Sequence, residues 1–393
     1  MMKNKLPFFA LSGSICLCMA VVLNACNRQT DGVAPVVLTT VPTSATSVST
    51  SSDVTSLAQI ALGKALFWDP ILSGGKDVAC ATCHHPNNAY TDGLDLSLGE
   101  NAVGYGSARR FILPNDVSFT KRNSPTILNT AYNGMDANGG FNPTTAPMFW
   151  DSRMASLELQ VTGPMTTFEE MRGHAYTEGM ALDSLVARLK AIVDYQPLFQ
   201  QAFGTQQPIT PTNIGKAIAA FERTLVALNS PYDRYQKGDK TAMTAAQIQG
   251  MQTFANEGCA VCHSGPMFSD YQAHVLSAPD NAKLAASDAG VNGTYAFRTP
   301  TLRNVGLTGP YMHNGTFQSL AQVVNFYDQI GDGNSQNPHV GRQQLDANVR
   351  RINLRNNEQA QIVAFRNALT DTGFDRSIPA SVPSTLNPGG GIR

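Results

Sequence analysis

Two runs constrain this chain more than anything else in it: Cys80-Ala81-Thr82-Cys83-His84 and Cys259-Ala260-Val261-Cys262-His263. In such a run the two thiols are spaced to meet one planar partner and the imidazole that follows is left to face its centre, which is the pattern of c-type haem attachment. A redox dithiol or half of a zinc site is the competing reading, but zinc would require further Cys or His ligands at similar spacing, and none follows. The remaining cysteines, Cys16, Cys18 and Cys26, all lie near the N-terminus. The pattern therefore predicts two covalent haems c, held by Cys80, Cys83, Cys259 and Cys262, with His84 and His263 as iron ligands.

At 393 residues the chain has length for two or three domains, and a net charge of -1 gives no basis for binding nucleic acid or an anionic membrane surface. Lys3 and Lys5 precede an apolar run from Leu6 to Leu23, the layout of a secretory signal. The run ends in Leu23-Asn24-Ala25-Cys26, which resembles a bacterial lipobox; an uncleaved anchor is the alternative. The expectation is a signal peptide over 1–25, lipidation at Cys26, and a periplasmic lipoprotein of a Gram-negative bacterium that touches the membrane through its lipid anchor only. Residues 26–56, rich in Ser and Thr, read as a flexible tether whose ends lie on the order of 30 Å apart.

Helical periodicity predicts a helix over Leu57–Phe67, stopped by Pro70, and a second opening at Thr244 with Gln247 as its capping-box partner. Gly63-x-x-x-Phe67 in the first returns as Gly250-x-x-x-Phe254 in the second, each a short loop ahead of its Cys-x-x-Cys-His run. The chain thus reads as two tandem cytochrome-c-like halves, 57–230 and 231–376. An apolar stripe of Ile214, Ala217, Ile218, Phe221 and Leu225 closes the first half before Ser230-Pro231. A last helix from Asn356, with Gln359 as cap partner, closes the second, and 377–393 reads as a loose tail. No alternating run argues for a sheet, so the fold class is mostly α.

The motifs between these helices resemble those of the bacterial di-haem cytochrome c peroxidases and the MauG-type enzymes. The resemblance covers about 57 to 370 and rests on Gly63-Lys-Ala-Leu-Phe-Trp-Asp-Pro-Ile-Leu-Ser73, Tyr90-Thr-Asp-Gly93, Arg122-Asn-Ser-Pro-Thr126, Phe149-Trp-Asp-Ser-Arg153, Phe221-Glu-Arg-Thr-Leu225, Arg298-Thr-Pro-Thr-Leu-Arg-Asn304 and Tyr311-Met-His-Asn-Gly315. It implies two c-type domains about a pseudo-twofold axis, with peroxide reacting at the first haem. It also implies an acid/base glutamate after the Phe-Trp-Asp motif, assigned here to Glu158; on its own, Glu158 would read as a solvated helix residue. A glutamine ten residues earlier in many relatives falls on Met148. With no histidine between His85 and His174, and His85 beside the attachment histidine, the first iron is expected to keep an open position. Met165 and Met171 read as core.

Fourteen residues after His313 stands Tyr327, where the resemblance puts the second iron's sixth ligand: Met in the better-known peroxidases, Tyr in the MauG type. Met312 is its rival. The resemblance further implies a calcium held by two backbone carbonyls, matched by Thr308 and Pro310, and by an asparagine, assigned to Asn101. A tryptophan between the haems falls near Leu128. Three functions follow in order: a peroxidase reducing hydrogen peroxide to water with electrons from a small cytochrome c or cupredoxin, a MauG-like enzyme that spends the oxidising equivalents on a protein side chain, or a non-enzymatic electron carrier.

Overall fold

The computed structural model describes residues 56–204 and 206–392; the expected signal, Cys26 and the tether up to residue 55 lie outside the described residues. The fold is mostly helical, with two short antiparallel ribbons, Ala102–Val103 with Arg110–Phe111 and Ala273–Val275 with Ala296–Arg298, that the sequence reading did not expect. Among the described residues no helix is long and apolar enough to cross a membrane.

One packing arrangement occurs twice. The Leu57–Trp68 helix, opened by a Ser56–Gln59 capping box, crosses the Pro211–Glu222 helix. At the crossing a Cβ on Gly63 would stand 1.9 Å from the Ala217 carbonyl oxygen, so only glycine lets the two backbones meet. The Ala245–Asn256 helix, opened by the expected Thr244–Gln247 box, crosses Asn356–Ala368 in the same way, with a Cβ on Gly250 falling 1.9 Å from the Gln361 oxygen. Phe67 meets Phe221 edge-on at 5.2 Å between centroids, and Phe254 meets Phe365 edge-on at 5.3 Å. Each crossing seeds an apolar cluster that includes Leu62, Phe67, Ala217 and Phe221 in one case and Phe254, Ile362 and Phe365 in the other.

Three boundaries differ from the sequence reading. The Pro211 helix ends at Glu222, short of Leu225, and Ser230 caps the next helix, Pro231–Gln236, rather than ending a helix. The last helix is capped by Arg355, whose backbone N–H donates to Glu358 at 2.7 Å, not through Gln359. Finally, 377–392 is not loose. Phe374 and Val382 belong to the first apolar cluster, the Ser384 hydroxyl donates to Asp69 at 2.6 Å, and Val78 bridges Gly390. The Thr82 hydroxyl, between the first two thiols, donates to the Gly389 carbonyl at 2.9 Å. Gly389 and Gly390 adopt φ of 78° and 68°, which glycine reaches without steric cost.

Candidate haem cavities

Each Cys-x-x-Cys segment folds as one helical turn, Cys80–Cys83 and Cys259–Cys262, and lies on the wall of a cavity. His84 Nδ1 faces the Tyr90 carbonyl at 3.1 Å and His263 Nδ1 faces the Phe268 carbonyl at 3.0 Å. A nitrogen facing a carbonyl must carry the proton, so in both rings Nε2 is the free ligand atom, oriented by its neighbour. Burial lowers the pKa of both imidazoles, His263 to about 4, which keeps them in the neutral form that ligates iron. Tyr90 and Phe268, whose carbonyls accept these imidazole hydrogen bonds, both sit at positive φ, 61° and 54°, a strained conformation. Thiols, ring and carbonyl together fit a haem c at each turn.

The first cavity, about 510 Å³, collects Cys80, Cys83 and His84 with Gln160, Glu169, Glu170 and Glu222. Glu158 is not on this wall. Its Oε1 is held by Arg223 at 2.6 Å and its backbone oxygen packs against Gly215, so one carboxylate oxygen is committed to an ion pair. Glu170 is one of the acids that line this wall. It rides on a single π turn, Phe168–Arg172, a form that recurs at functional sites. Gly99 passes beneath that turn so closely that a Cβ would fall 2.2 Å from the Glu170 oxygen, and Gly74 N–H donates to the Met171 carbonyl at 2.6 Å. Burial and the adjacent Glu169 charge push the Glu170 carboxyl up to about 7. Ten residues before it stands Gln160, on the same wall.

His84 is the only histidine on the first wall among the described residues; His85 is buried beside Trp68 and accepts from Asn87 N–H. Met165 and Met171 lie in the core, Met171 also reaching the wall. Trp150 and Tyr311 are aromatics that line both cavities, whereas Leu128 lines the first alone. The Trp150 indole N–H donates to the Asn123 carbonyl at 3.0 Å, while Asn123 N–H donates to the His313 carbonyl at 2.7 Å.

The second cavity holds Cys259, Cys262, His263, Met312, His313, Tyr327 and Arg366, so both rival ligands are on its wall. Met312 also lines the first cavity. Burial pushes the Tyr327 phenol up to about 12, opposed by the Arg366 guanidinium, whose carbon lies 6.0 Å from the ring centroid. Arg366 is 3% exposed and its Nε has no partner, an orphaned buried donor that suits an anion in this cavity.

Thr308 and Pro310 lie on the first wall, but Asn101 does not join them. The Asn101 amide donates to the Ile112 and Pro114 carbonyls and to Asn115, which uses it to staple a loop. Asn123 does share the wall, and its amide N–H donates to the Leu94 carbonyl at 2.8 Å.

Comparison with known proteins gives a consistent result. The sequence pattern of the family described as di-haem cytochrome c peroxidase matches residues 57–241. The methylamine utilization protein MauG of Methylorubrum extorquens is 35% identical over 316 residues, covering 79% of this chain and 78% of its own. The cytochrome c551 peroxidase of Nitrosomonas europaea is 32% identical over 330 residues, covering 82% and 83%. The crystal structure of a MauG-like protein associated with microbial copper homeostasis superposes with a TM-score of 0.65 at 26% identity, covering 87% of this chain and 95% of that one.

Proposed function

The chain belongs to the di-haem cytochrome c peroxidase family, and from that premise we propose that it reduces hydrogen peroxide to water with electrons from a small redox protein. Two haems c, held at Cys80, Cys83 and His84 and at Cys259, Cys262 and His263, supply the redox chemistry when bound. The observation that carries the reading is Glu170 on the wall of the first cavity, aimed by a π turn and accompanied by Gln160. Breaking the O–O bond heterolytically requires the proton on the near oxygen to reach the departing one. A carboxyl whose pKa lies near the working pH accepts and returns a proton with least cost, and Glu170 meets that condition on the wall, while Glu158 lies off the wall, paired with Arg223. Gln160 is placed to orient the peroxide by hydrogen bonding. Trp150, on both walls, offers the route by which electrons cross.

The repeated helix crossing and the matched His–carbonyl turns support two tandem halves about a pseudo-twofold axis. Calcium fits Thr308, Pro310 and Asn123 better than Asn101, because oxygen donors sharing one wall are what that ion requires. The N-terminal sequence alone supports the proposal of export with a lipid anchor at Cys26. One observation favours a MauG-like second reading: Tyr327 faces the second cavity beside the buried Arg366.

The test is turnover of peroxide by the haem-loaded protein with a reduced small cytochrome c. Two donor molecules oxidised per peroxide are expected. Peroxide consumption without donor oxidation, accompanied by modification of protein side chains, would select the MauG-like reading; no consumption would overturn both.

A further inference from the structure

Glu222 has no part in the reading above, yet it stands on the wall of the first cavity, 4% exposed, with Oε2 buried and unpartnered. A buried carboxyl without a partner is costly to keep, so its presence calls for a cause. The fold does not demand it. Phe221 and Phe365 fill the same place in the two helix crossings, and the residue that follows is Glu222 in one and Arg366 in the other, each lining its own cavity. The position tolerates either sign, so the acid belongs to what the first cavity does.

The peroxidase reading, on which this inference rests, supplies a need. Hydrogen peroxide, two electrons and two protons give two waters, with the O–O bond broken and the electrons coming from the donor protein. Glu170 moves a proton that the peroxide already carries, so it adds none. Both consumed protons must cross the cavity wall. We propose that Glu222 is the proton-holding residue that supplies one of them, giving its carboxyl proton to an oxygen leaving as water and recovering it from solvent. Glu158 Oε2 and Arg223 Nε are likewise buried without partners, and buried orphan polar atoms of this kind are where bridging water sits. The Arg223 and Glu158 side chains are 17% and 22% exposed, which brings that water to the surface.

The groups that set the Glu222 proton affinity are few. Burial raises it to about 8, Arg223 at the cap of its helix opposes the rise, and Glu158 on the Leu157–Gln160 helix adds to it. On the Leu57–Trp68 helix, Lys64 is turned to Asp375, its ammonium 5.9 Å from the Phe221 centroid. On the Ala181–Lys190 helix, Arg188 is engaged by the Ile71 and Ser73 carbonyls, and Asp183 and Lys190 are exposed. An electron arriving in the cavity raises the affinity of such a group for a proton, so the first haem's reduction potential should fall as pH rises.

The experiment measures that potential against pH by spectroelectrochemistry on the holoprotein. The slope should shrink in Glu222→Gln and return in Glu222→Asp, with both haem spectra retained. A slope unchanged in Glu222→Gln overturns the proposal. Should Glu222→Gln fail to load haem, the redox-difference infrared spectrum of Glu170→Gln decides: a protonated-carboxyl band that moves on carbon-13 glutamate labelling supports Glu222, and its absence overturns it. Peroxide turnover by the wild type tests the peroxidase reading separately, since the slope comparison is independent of turnover.

Discussion

Replacing Glu170 by Gln removes a proton acceptor and keeps the side chain's length, so it isolates the acid/base role. Mutations of a positioned acid or base cost about 10²–10⁴-fold, equivalent to about 3–5 kcal/mol of barrier. The structure adds a pH signature. With the carboxyl at about 7, half of the molecules hold it ionised at pH 7 and roughly a tenth at pH 6. The group's pKa is raised above the ordinary 4.5, so its basic form is present above about 7 and is lost as pH falls through that value. The rate of peroxide reaction should therefore fall about fivefold from pH 7 to pH 6, whereas a glutamate at 4.5 would leave it flat over that range. Stopped-flow mixing of the ferric holoprotein with peroxide from pH 5.5 to 8.5 gives both numbers. Glu158→Gln is the control: it breaks the Arg223 ion pair and should leave the cleavage rate and its acid limb in place. A loss of rate in Glu158→Gln with none in Glu170→Gln would refute the argument from the cavity wall.

Denaturing mass spectrometry should show two haem masses on the chain, and Cys80→Ala with Cys83→Ala should remove one; loss of both would mean that attachment at the two turns is coupled. Tyr327→Met should raise the second haem's reduction potential, because a neutral thioether favours ferrous iron over ferric relative to a phenolate. An unmoved potential would pass the ligand role to Met312, which shares the wall. Gly250→Ala puts a methyl 1.9 Å from the Gln361 oxygen and should destabilise by about 1–3 kcal/mol, read as a lower urea midpoint. Unchanged stability there would show that the helix crossing yields without cost.

The attachment turns were legible in the sequence because thioether chemistry fixes residue types at fixed spacing, and the helix starts because capping boxes are local. Glu170 was not. Glu158 and Glu170 are both glutamates after the same motif, and what separates them is a π turn held by Gly99 and Gly74, elements far away in the chain. Arg223, the partner that occupies Glu158, is equally distant. Trp150 stood inside a motif already singled out, and its place became visible only when two walls met at it. The tail misled because its Gly, Pro and Ser content, read locally, signals a loose end, while its order comes from Thr82, Asp69 and Asp77.

That tail also decides how the polypeptide can be divided. Residues 374–392 fold back onto the first attachment turn, leaving Thr82 2% exposed, whereas Val261 at the second turn is 36% exposed. The apolar cluster behind the first attachment turn is therefore discontinuous in sequence, joining residues between Leu62 and Ala227 with Phe374 and Val382. A fragment ending at Ser230 would keep both thiols and His84 yet present their turn bare to solvent. Ile392 packs against the same apolar cluster as Cys80, so residues from opposite ends of the fold share one core.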